Sequence, residues 1–251
     1  SRQVKKNNLF LTIKGKNNDG VKFAGKALKR GAKYIVSSRN IKNFKNKTIK
    51  VSSEINFLKK FSSLKRKNSS AKIIAVTGSA GKTSLKNLIQ ELLQNFGKTY
   101  SSPKSYNNQF GVPLSLSNLK AEHKFGVFEV GMSKSGEINN LSKLVKPNIG
   151  IITNIGEAHI ENFKNIKGIA DAKGEIINNI QKDGSIILNR DDKFFHYLEK
   201  KAKLKKIKII SFGKNKKSDI VLVKFLKNEN FSKLVVRIKN EIFKFRLKDI
   251  N

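Results

Sequence analysis

The sequence contains no cysteine, which excludes disulfide bonds, thiolate metal sites and thiol nucleophiles. This absence fits a reducing cytoplasm, and we expect the protein to be cytoplasmic. No apolar run is long enough to span a bilayer, and the first ten residues lack the pattern of a secretory signal peptide. The 251 residues therefore predict a soluble chain, long enough for one large domain or two modest ones.

Acidic residues are scarce relative to basic ones: 18 Asp and Glu stand against 53 Lys and Arg, and the formal net charge is +35. Such an excess suggests anionic partners, whether nucleotides, nucleic acid or a membrane surface. Compositional drift in an AT-rich genome is the alternative, because the lysines are spread through every segment beside abundant Asn, Ile and Phe. No zinc-finger spacing or RNP-like aromatic signature occurs. We therefore favour drift and expect neither a nucleic-acid nor a membrane partner.

The sequence predicts two α/β domains joined by a polar linker. Residues 1–64 combine strand-like and helical patterns with turn chemistry, which predicts a small α/β domain. Residues 65–70 are polar and predict the linker. Residues 71–251 form the second predicted domain.

In this second domain, strand-like runs alternate with helical patterns. The predicted strands are 72–77, 125–130, 149–153, 185–188 and 207–212, and the predicted helices are 82–96, 136–145, 166–181 and 191–203. This alternation predicts an α/β fold with a mostly parallel P-loop-type sheet and helices on both faces. Alternating runs at 220–225, 233–238 and 241–247 predict antiparallel strands at the C-terminal end. Ligand sites in such sheets lie beyond the carboxyl ends of the strands.

Residues 71–84 are the most informative segment, because an apolar strand leads into a turn of small residues and then into a helical pattern. The small residues are Gly78, Ser79, Ala80 and Gly81. Backbone N–H groups of such a turn can surround a polyphosphate, and the helix N-terminus adds its positive dipole end. Lys82 can reach the terminal phosphates, and the Thr83 hydroxyl can ligate Mg²⁺. The motif is shortened, with Val76 where the strict spacing has its first glycine. It predicts nucleotide binding; an ordinary glycine-rich turn is the alternative.

Lys173 is unusual within the predicted helix 166–181. At about 100° per residue it lies among isoleucines and alanines on one arc, whereas Asp171 and Glu175 point away. Burial would lower the pKa of its ammonium group. The free amine could act as a nucleophile or take up carbon dioxide as a carbamate, an anionic oxygen ligand. From the pattern alone, a lysine that extends past its neighbours to solvent is the favoured alternative.

Two further polar residues lie at or just past the ends of predicted strands. Glu129 closes the apolar run 125–128, where a carboxylate could bind Mg²⁺ or water near a nucleotide; a capping or solvated acid is the alternative. His159 is one of three histidines, and a lone histidine is more often structural or on the surface. Both lie near strand ends beside the predicted phosphate loop (residues 78–83), which favours their belonging to one site.

Six motifs occur in order along the chain. They are Thr77–Thr83, Tyr106–Leu114, Glu129–Gly131 with Gly136–Ile138, Thr153–His159, Ala170–Ile176 and Leu188–Asp192. This succession resembles the Mur ligases, the ATP-dependent amide-forming enzymes of peptidoglycan precursor synthesis. The elements 107–113 and 136–138 most resemble the branch that adds D-alanyl-D-alanine to UDP-N-acetylmuramoyl-tripeptide. Similarity to the uridine-nucleotide-binding domain of that branch rests on Ser1-Arg2, Leu9-Phe10, Gly15 and Asp19-Gly20.

The resemblance implies roles in binding ATP and two Mg²⁺ ions. Lys82 would neutralise the β- and γ-phosphates, and Thr83 with Glu129 would hold one Mg²⁺. His159 and a carbamoylated Lys173 would hold the second.

The resemblance also implies substrate contacts and a reaction. Asn189 and Asp192 would contact the nucleoside of ATP, and Asn107 and Asn108 would lie near the reacting carboxyl group or its phosphates. Ser1-Arg2 would belong to the UDP-sugar site. The tripeptide carboxylate would become an acyl phosphate, which the amine of D-alanyl-D-alanine would attack.

The chain departs from the family pattern in two ways. Glu157 and Asn162 replace the usual proline and glycine. The chain also opens inside the first domain's motif and stops about where the sheet should finish. We therefore expect a monomeric fragment without a C-terminal domain, which binds nucleotide but does not complete ligation. The alternatives are the ligase that adds the third amino acid, folylpolyglutamate synthase, and a basic P-loop protein that acts on nucleic acid; the element 107–113 argues against the first two.

Overall fold

The computed structural model describes residues 4–15, 18–227 and 231–248. The chain divides into two compact units, residues 1–64 and 65–251. Ser1 and Arg2, which were expected in the UDP-sugar site, lie outside the described residues. None of the described helices is both long and apolar enough to cross a membrane.

The first unit is built on a three-stranded parallel sheet. Its strands are β1 (Leu9–Leu11), β2 (Tyr34–Ser37) and β3 (Thr48–Lys50), in that order. Its helices are two 3₁₀ segments, Gly20–Phe23 and Lys42–Lys47, together with α1 (Ala24–Lys29) and the start of α2 (Glu54–Lys67). The parallel strands are joined by helical crossovers, as parallel pairing requires.

The predicted linker is shorter than the sequence indicated, because residues 65–67 form the last turn of α2. Leu58 and Ser62 are buried on this helix. In the last turn, Arg66 donates from Nε to the Val145 carbonyl at 2.8 Å and from Nη2 to the Lys146 carbonyl at 2.9 Å. The long polar side chains of 65–67 therefore continue a helix that apolar content alone did not reveal.

Contacts within the first unit explain why Asp19 and Gly20 occupy these two positions. The Arg39 guanidinium donates to both Asp19 carboxylate oxygens, at 2.5 and 2.8 Å, and this contact lowers the pKa of Asp19 to about 2. A Cβ at Gly20 would lie 2.7 Å from the Thr12 backbone. A side chain at Gly20 would therefore require the neighbouring backbone to move.

The second unit contains a nine-stranded sheet. Its strands are β4 (Lys72–Thr77), β5 (Thr99–Ser101), β6 (Phe125–Glu129), β7 (Ile149–Ile152), β8 (Ser185–Asn189), β9 (Lys208–Gly213), β10 (Ile220–Lys227), β11 (Phe231–Ile238) and β12 (Glu241–Lys248). The order is β12-β11-β10-β9-β8-β7-β4-β6-β5. Strands β4 to β10 pair in parallel with their neighbours, whereas β10, β11 and β12 form an antiparallel meander. The predicted fold class is confirmed.

Helices cover both faces of this sheet, but unequally. The helices are α3 (Lys82–Gln94), α4 (Gly111–Ser117), α5 (Glu137–Val145), α6 (Ile166–Gly174) and α7 (Phe195–Leu204). On one face α3 packs Leu85 and Ile89 against Ile74 and Val76 of β4. The other helices contribute to the larger cluster on the opposite face, which includes Ile73 of the same strand. Strand β4 is thus buried on both faces, which explains its continuous apolar sequence.

Several predicted bounds are wrong. The helix expected at 166–181 ends at Gly174 and continues as a 3₁₀ segment, Glu175–Asn179. Its β-branched isoleucines and two asparagines are weak helix formers, and the isoleucines remain buried without a full α-helix. The helix expected from 191 begins at Phe195. Strand β5 and helix α4 were not predicted.

The sheet order brings the loops that follow β4, β6 and β7 to one edge of the sheet. Strand β4 lies between β6 and β7 and is parallel to both, with Val76 opposite Glu129 and Thr77 opposite Ile152. The carboxyl ends of these strands therefore meet at the point where the chain order reverses, where α/β sheets bind ligands.

Candidate active site

The loop between β4 and α3 requires glycine at two positions. Gly78 has φ +147°, and a Cβ there would lie 1.8 Å from Oγ1 of Thr153. Gly81 has φ +78° with open space where a Cβ would be, so here the backbone conformation alone favours glycine. The loop is therefore both tightly curved and closely approached by the segment after β7.

The segment after β7 is hydrogen-bonded to the phosphate loop. The Ser79 hydroxyl donates to the Gly156 carbonyl at 3.0 Å and accepts the Gly156 amide at 2.8 Å. The amide of Ala80 donates to Oδ1 of Asn154 at 3.0 Å, and Oγ1 of Thr153 donates to the Ala80 carbonyl at 2.6 Å. The Ala80 amide, which the sequence assigned to phosphate, is thus held by a side-chain amide oxygen.

Lys82 lies over the phosphate loop. Its Nζ donates to the carbonyl of Gly78 at 2.8 Å and to that of Ser79 at 3.3 Å. Burial lowers the pKa of Lys82, and the negative charge of Glu129 opposes that shift. A cation held at this point suits the oxygens of a polyphosphate.

Glu129 joins three elements at the end of β6. Its side chain is 1% exposed; Oε2 accepts the Thr83 hydroxyl and Oε1 accepts Nδ2 of Asn107, each at 2.7 Å. The Ser105 hydroxyl lies 3.4 Å from that of Thr83. A hydroxyl beside a carboxylate offers the oxygen ligands that Mg²⁺ prefers.

The described residues contain no group of three or more His, Asp or Glu that could hold a metal ion. Mg²⁺ commonly uses one or two protein oxygens and completes its shell with water and substrate phosphates. The Thr83–Glu129 pair beside a phosphate loop therefore fits Mg²⁺ carried with a nucleotide and does not fit a closed, all-protein metal cage.

Lys173 is buried, with 3% of its surface exposed, so the alternative that the helical pattern alone favoured is wrong. It does not extend to solvent. Burial lowers the pKa of its amine to about 8, and the positive charge of Lys82 contributes to the same shift. The electrostatic influence of Lys82 connects Lys173 to the phosphate loop, and the lowered pKa leaves part of the amine neutral near physiological pH.

Two other predicted site residues, His159 and Asn108, make contacts that do not join them to Glu129 or Lys173. The imidazole of His159 is half-exposed and lies 3.8 Å from Glu161, and its backbone is left-handed, with φ +65°. Asn108 accepts the amides of Phe110 and Gly111 at the start of α4. In the described part of the chain, no hydrogen bond links His159 or Asn108 to Glu129 or Lys173.

The residues expected at the nucleoside also have structural contacts. Oδ1 of Asn189 accepts the Asp191 amide at 3.0 Å. Asp192 accepts the amides of Ile155 at 2.7 Å and Phe194 at 2.9 Å, and so links the loop after β8 to the segment after β7.

The sequence analysis missed Lys86 and the residues around it. Lys86 is 1% exposed and lies one turn beyond Lys82 on α3. The signal was present, because at about 100° per residue Lys86 lies at the edge of the apolar stripe that Leu85, Ile89 and Leu93 form on that helix. The same argument that identified Lys173 would have identified it.

Comparison with known proteins agrees with this arrangement. Residues 76–250 match the Mur ligase middle domain, which covers more than half of the chain. The chain belongs to the Mur ligase family. The predicted resemblance is confirmed, and this Mur ligase holds the acid at the end of β6 against Thr83 in the first turn of α3.

This Mur ligase is similar to proteins with a specific name. It is 37% identical over 225 residues to the UDP-N-acetylmuramoyl-tripeptide–D-alanyl-D-alanine ligase of Rickettsia prowazekii, a match that covers 89% of this chain and 50% of that protein. A crystal structure of MurF from Acinetobacter baumannii matches with a TM-score of 0.86 and 29% identity, over 98% of this chain and 54% of that one. The MurF ligase of Thermotoga maritima in complex with ADP matches with a TM-score of 0.81 and 29% identity, over 98% and 56%. The chain spans about half the length of these relatives.

Proposed function

We propose that this chain is the ATP-binding part of a ligase that joins D-alanyl-D-alanine to UDP-N-acetylmuramoyl-tripeptide in the cytoplasm, during peptidoglycan precursor synthesis. The contact of Thr83 and Asn107 with the buried Glu129, beside the loop 78–83, carries the proposal. The relatives named above support the substrates. In this proposal residues 1–64 bind the uridine nucleotide, and residues 71–251 bind ATP.

The nucleotide would lie with its phosphates against the loop 78–83. Lys82 would offset the charge of the β- and γ-phosphates, and Thr83 with Glu129 would hold one Mg²⁺. The ion would supply charge neutralisation to the phosphoryl oxygens. Asn107 donates to Oε1 of Glu129 and would thereby fix the orientation of the carboxylate. The other oxygen, Oε2, would then stay turned toward Thr83.

Lys173 and His159 would serve a second Mg²⁺. A neutral Lys173 amine can attack the carbon of CO₂ and release a proton, which leaves a carbamate whose single negative charge is shared by two oxygens. The pKa of about 8 supports this step, because the neutral amine is the reactive form. The half-exposed imidazole of His159 would be the nitrogen ligand.

The reaction would follow in two displacements. A carboxylate oxygen of the tripeptide attacks the γ-phosphorus and ADP leaves, which gives an acyl phosphate. The amine of D-alanyl-D-alanine then attacks the acyl carbon and loses a proton, and phosphate leaves, which gives the amide. The protein groups position the reactants and offset negative charge on the transferred phosphoryl group.

Two measurements test the proposal. Calorimetric titration of the chain with ADP should show binding that Mg²⁺ strengthens, and Glu129→Gln should remove the Mg²⁺ effect. Phosphate release by the protein expressed from its own gene should require ATP, UDP-N-acetylmuramoyl-tripeptide and D-alanyl-D-alanine together. Release that DNA or RNA stimulates, without response to the sugar nucleotide, would instead establish a nucleic-acid-dependent P-loop protein.

A further inference from the structure

Lys86 is a buried cation that the proposed reaction does not use. Its Nζ donates to the carbonyl of Ser102 at 2.7 Å and to that of Lys104 at 2.6 Å. Burial lowers the pKa of Lys86, and the charge of Glu129 opposes the shift. An ammonium group is expensive to bury, and an apolar side chain of the same length would fill the space at lower cost. The two carbonyl contacts are therefore what distinguishes Lys86 from a core residue.

The two carbonyls belong to a segment whose backbone is strained at Lys104. Residues 102–108 follow β5 and precede α4, and Lys104 has a left-handed backbone with φ +48°. A non-glycine residue holds this conformation only where its surroundings enforce it. Lys86 binds the carbonyl of Lys104 itself and the carbonyl two residues before it, so it fixes the turn from the side of α3.

The same segment carries three groups to the candidate metal site. The Ser102 hydroxyl accepts the Glu129 amide at 3.2 Å, and the Ser105 hydroxyl lies 3.4 Å from that of Thr83. Asn107 donates to Glu129, and its carbonyl accepts the Gly131 amide at 2.8 Å. The turn fixed by Lys86 thus sets the position of the side chains that orient Glu129 and surround Thr83.

We propose that Lys86 is a positioning residue: it clamps residues 102–108 to α3 so that Asn107 and Ser105 keep Thr83 and Glu129 in the geometry that binds a Mg²⁺–nucleotide complex. The metal readout rests on the proposed function, whereas the clamp itself is a property of the ligand-free chain. The variant that tests it is Lys86→Met, which keeps length and volume and removes the donors. Lys143→Met, an exposed lysine on α5, is the matched control.

Hydrogen–deuterium exchange of the ligand-free chain tests the clamp directly. In Lys86→Met, peptides that cover 102–108 should exchange about tenfold faster or more, while β4 peptides keep the parent rate, because a released turn opens locally. Lys143→Met should match the parent in both. Unchanged exchange over 102–108 in a folded Lys86→Met chain would overturn the proposal.

ADP titrations with and without Mg²⁺ test the consequence. We expect Lys86→Met to lose about tenfold of the Mg²⁺-dependent gain in affinity, as for a lost hydrogen bond to a charged group, while Mg²⁺-free affinity stays within about twofold. In an Asn107→Ala background the same substitution should add little, because the group that Lys86 positions is already gone. If Lys86→Met lost the same ADP affinity with and without Mg²⁺, Lys86 would have only a structural role and the proposal would be overturned. A parent chain that binds no ADP would refute the proposed function, and the exchange experiment would still decide the clamp.

Discussion

The Thr83 hydroxyl donates a 2.7 Å hydrogen bond to Glu129, although Thr83 lies in the first turn of α3 and Glu129 ends β6. The two residues meet because β4, which leads into α3, lies in parallel beside β6, with Val76 opposite Glu129. The sheet, and not a local sequence pattern, brings the hydroxyl to the carboxylate.

Removing the Thr83 hydroxyl should weaken nucleotide binding only when Mg²⁺ is present. We expect Thr83→Val to reduce the Mg²⁺-dependent gain in ADP affinity by about tenfold, as for a lost contact with a charged group. Calorimetric titration in Mg²⁺ and in EDTA measures the two affinities. Ser84→Ala, at the exposed neighbour, is the control. An equal loss in EDTA would mean that Thr83 supports the loop and not the ion.

Lys173 should make stability depend on pH. The unfolded lysine keeps its proton up to about the ordinary value of 10.5, whereas the folded amine has a pKa of about 8. Between these values the unfolded state binds more protons, so stability rises with pH there, and the protonation cost below pH 8 is about 3 kcal/mol. Lys173→Met should therefore stabilise the chain more at about pH 7 than at about pH 10.

The measurement is urea unfolding at both pH values in carbonate-free buffer, which prevents carbamate formation. The free energy of unfolding of Lys173→Met relative to the parent should fall between about pH 7 and about pH 10. Exposed Lys182→Met is the matched control. A difference that is constant with pH would contradict an uncompensated buried amine.

The imidazole of His159 can be removed without disturbing its backbone. Asparagine tolerates the left-handed conformation at φ +65°, so His159→Asn should melt within about 2 °C of the parent. If His159 serves the second Mg²⁺, phosphate release by the protein expressed from its own gene should fall by about a hundredfold. His196→Asn, at another exposed histidine, should keep full turnover. Full turnover in His159→Asn would remove His159 from the proposed site.

Glu175 should contribute to stability through the start of α5. Its carboxylate accepts the amides of Gly136 at 2.7 Å and Asn139 at 2.9 Å, while the N-cap Gly136 has no side chain of its own to do so. We expect Glu175→Ala to lower the free energy of unfolding by about 1–3 kcal/mol, measured in urea. Glu91→Ala, exposed on α3, should change it by less than about 0.5 kcal/mol. Similar values for the two variants would contradict the capping role.

The parallel sheet was predictable because its buried strands have continuous apolar sequences between helical patterns. Strand β5 was missed because it has only three residues, too few for a periodic signal. Helix α4 was missed because it contains Pro113, which a helix accepts within its first turn. The bounds of α6 were wrong because burial of its isoleucines continues after the α-helix has ended.

The candidate site was predictable in part. The positions of Gly78 to Thr83 and of Glu129 follow from strand ends. Helical periodicity placed Lys173 among apolar residues, but it did not decide between burial and extension to solvent. The contacts of Asn154 with Ala80 and of Lys86 with Ser102 depend on how separate loops meet, and no local pattern records that. The roles of all the candidate site residues in binding and catalysis stay predictions.

The pairing of Val76 with Glu129 also determines which kinds of mutation β6 can tolerate. Replacing a residue in β6 alters one side chain. Inserting or deleting one would slide the strand by about 3.3 Å and turn Glu129 to the opposite face of the sheet, away from Thr83. Length, more than composition, is what β6 must preserve.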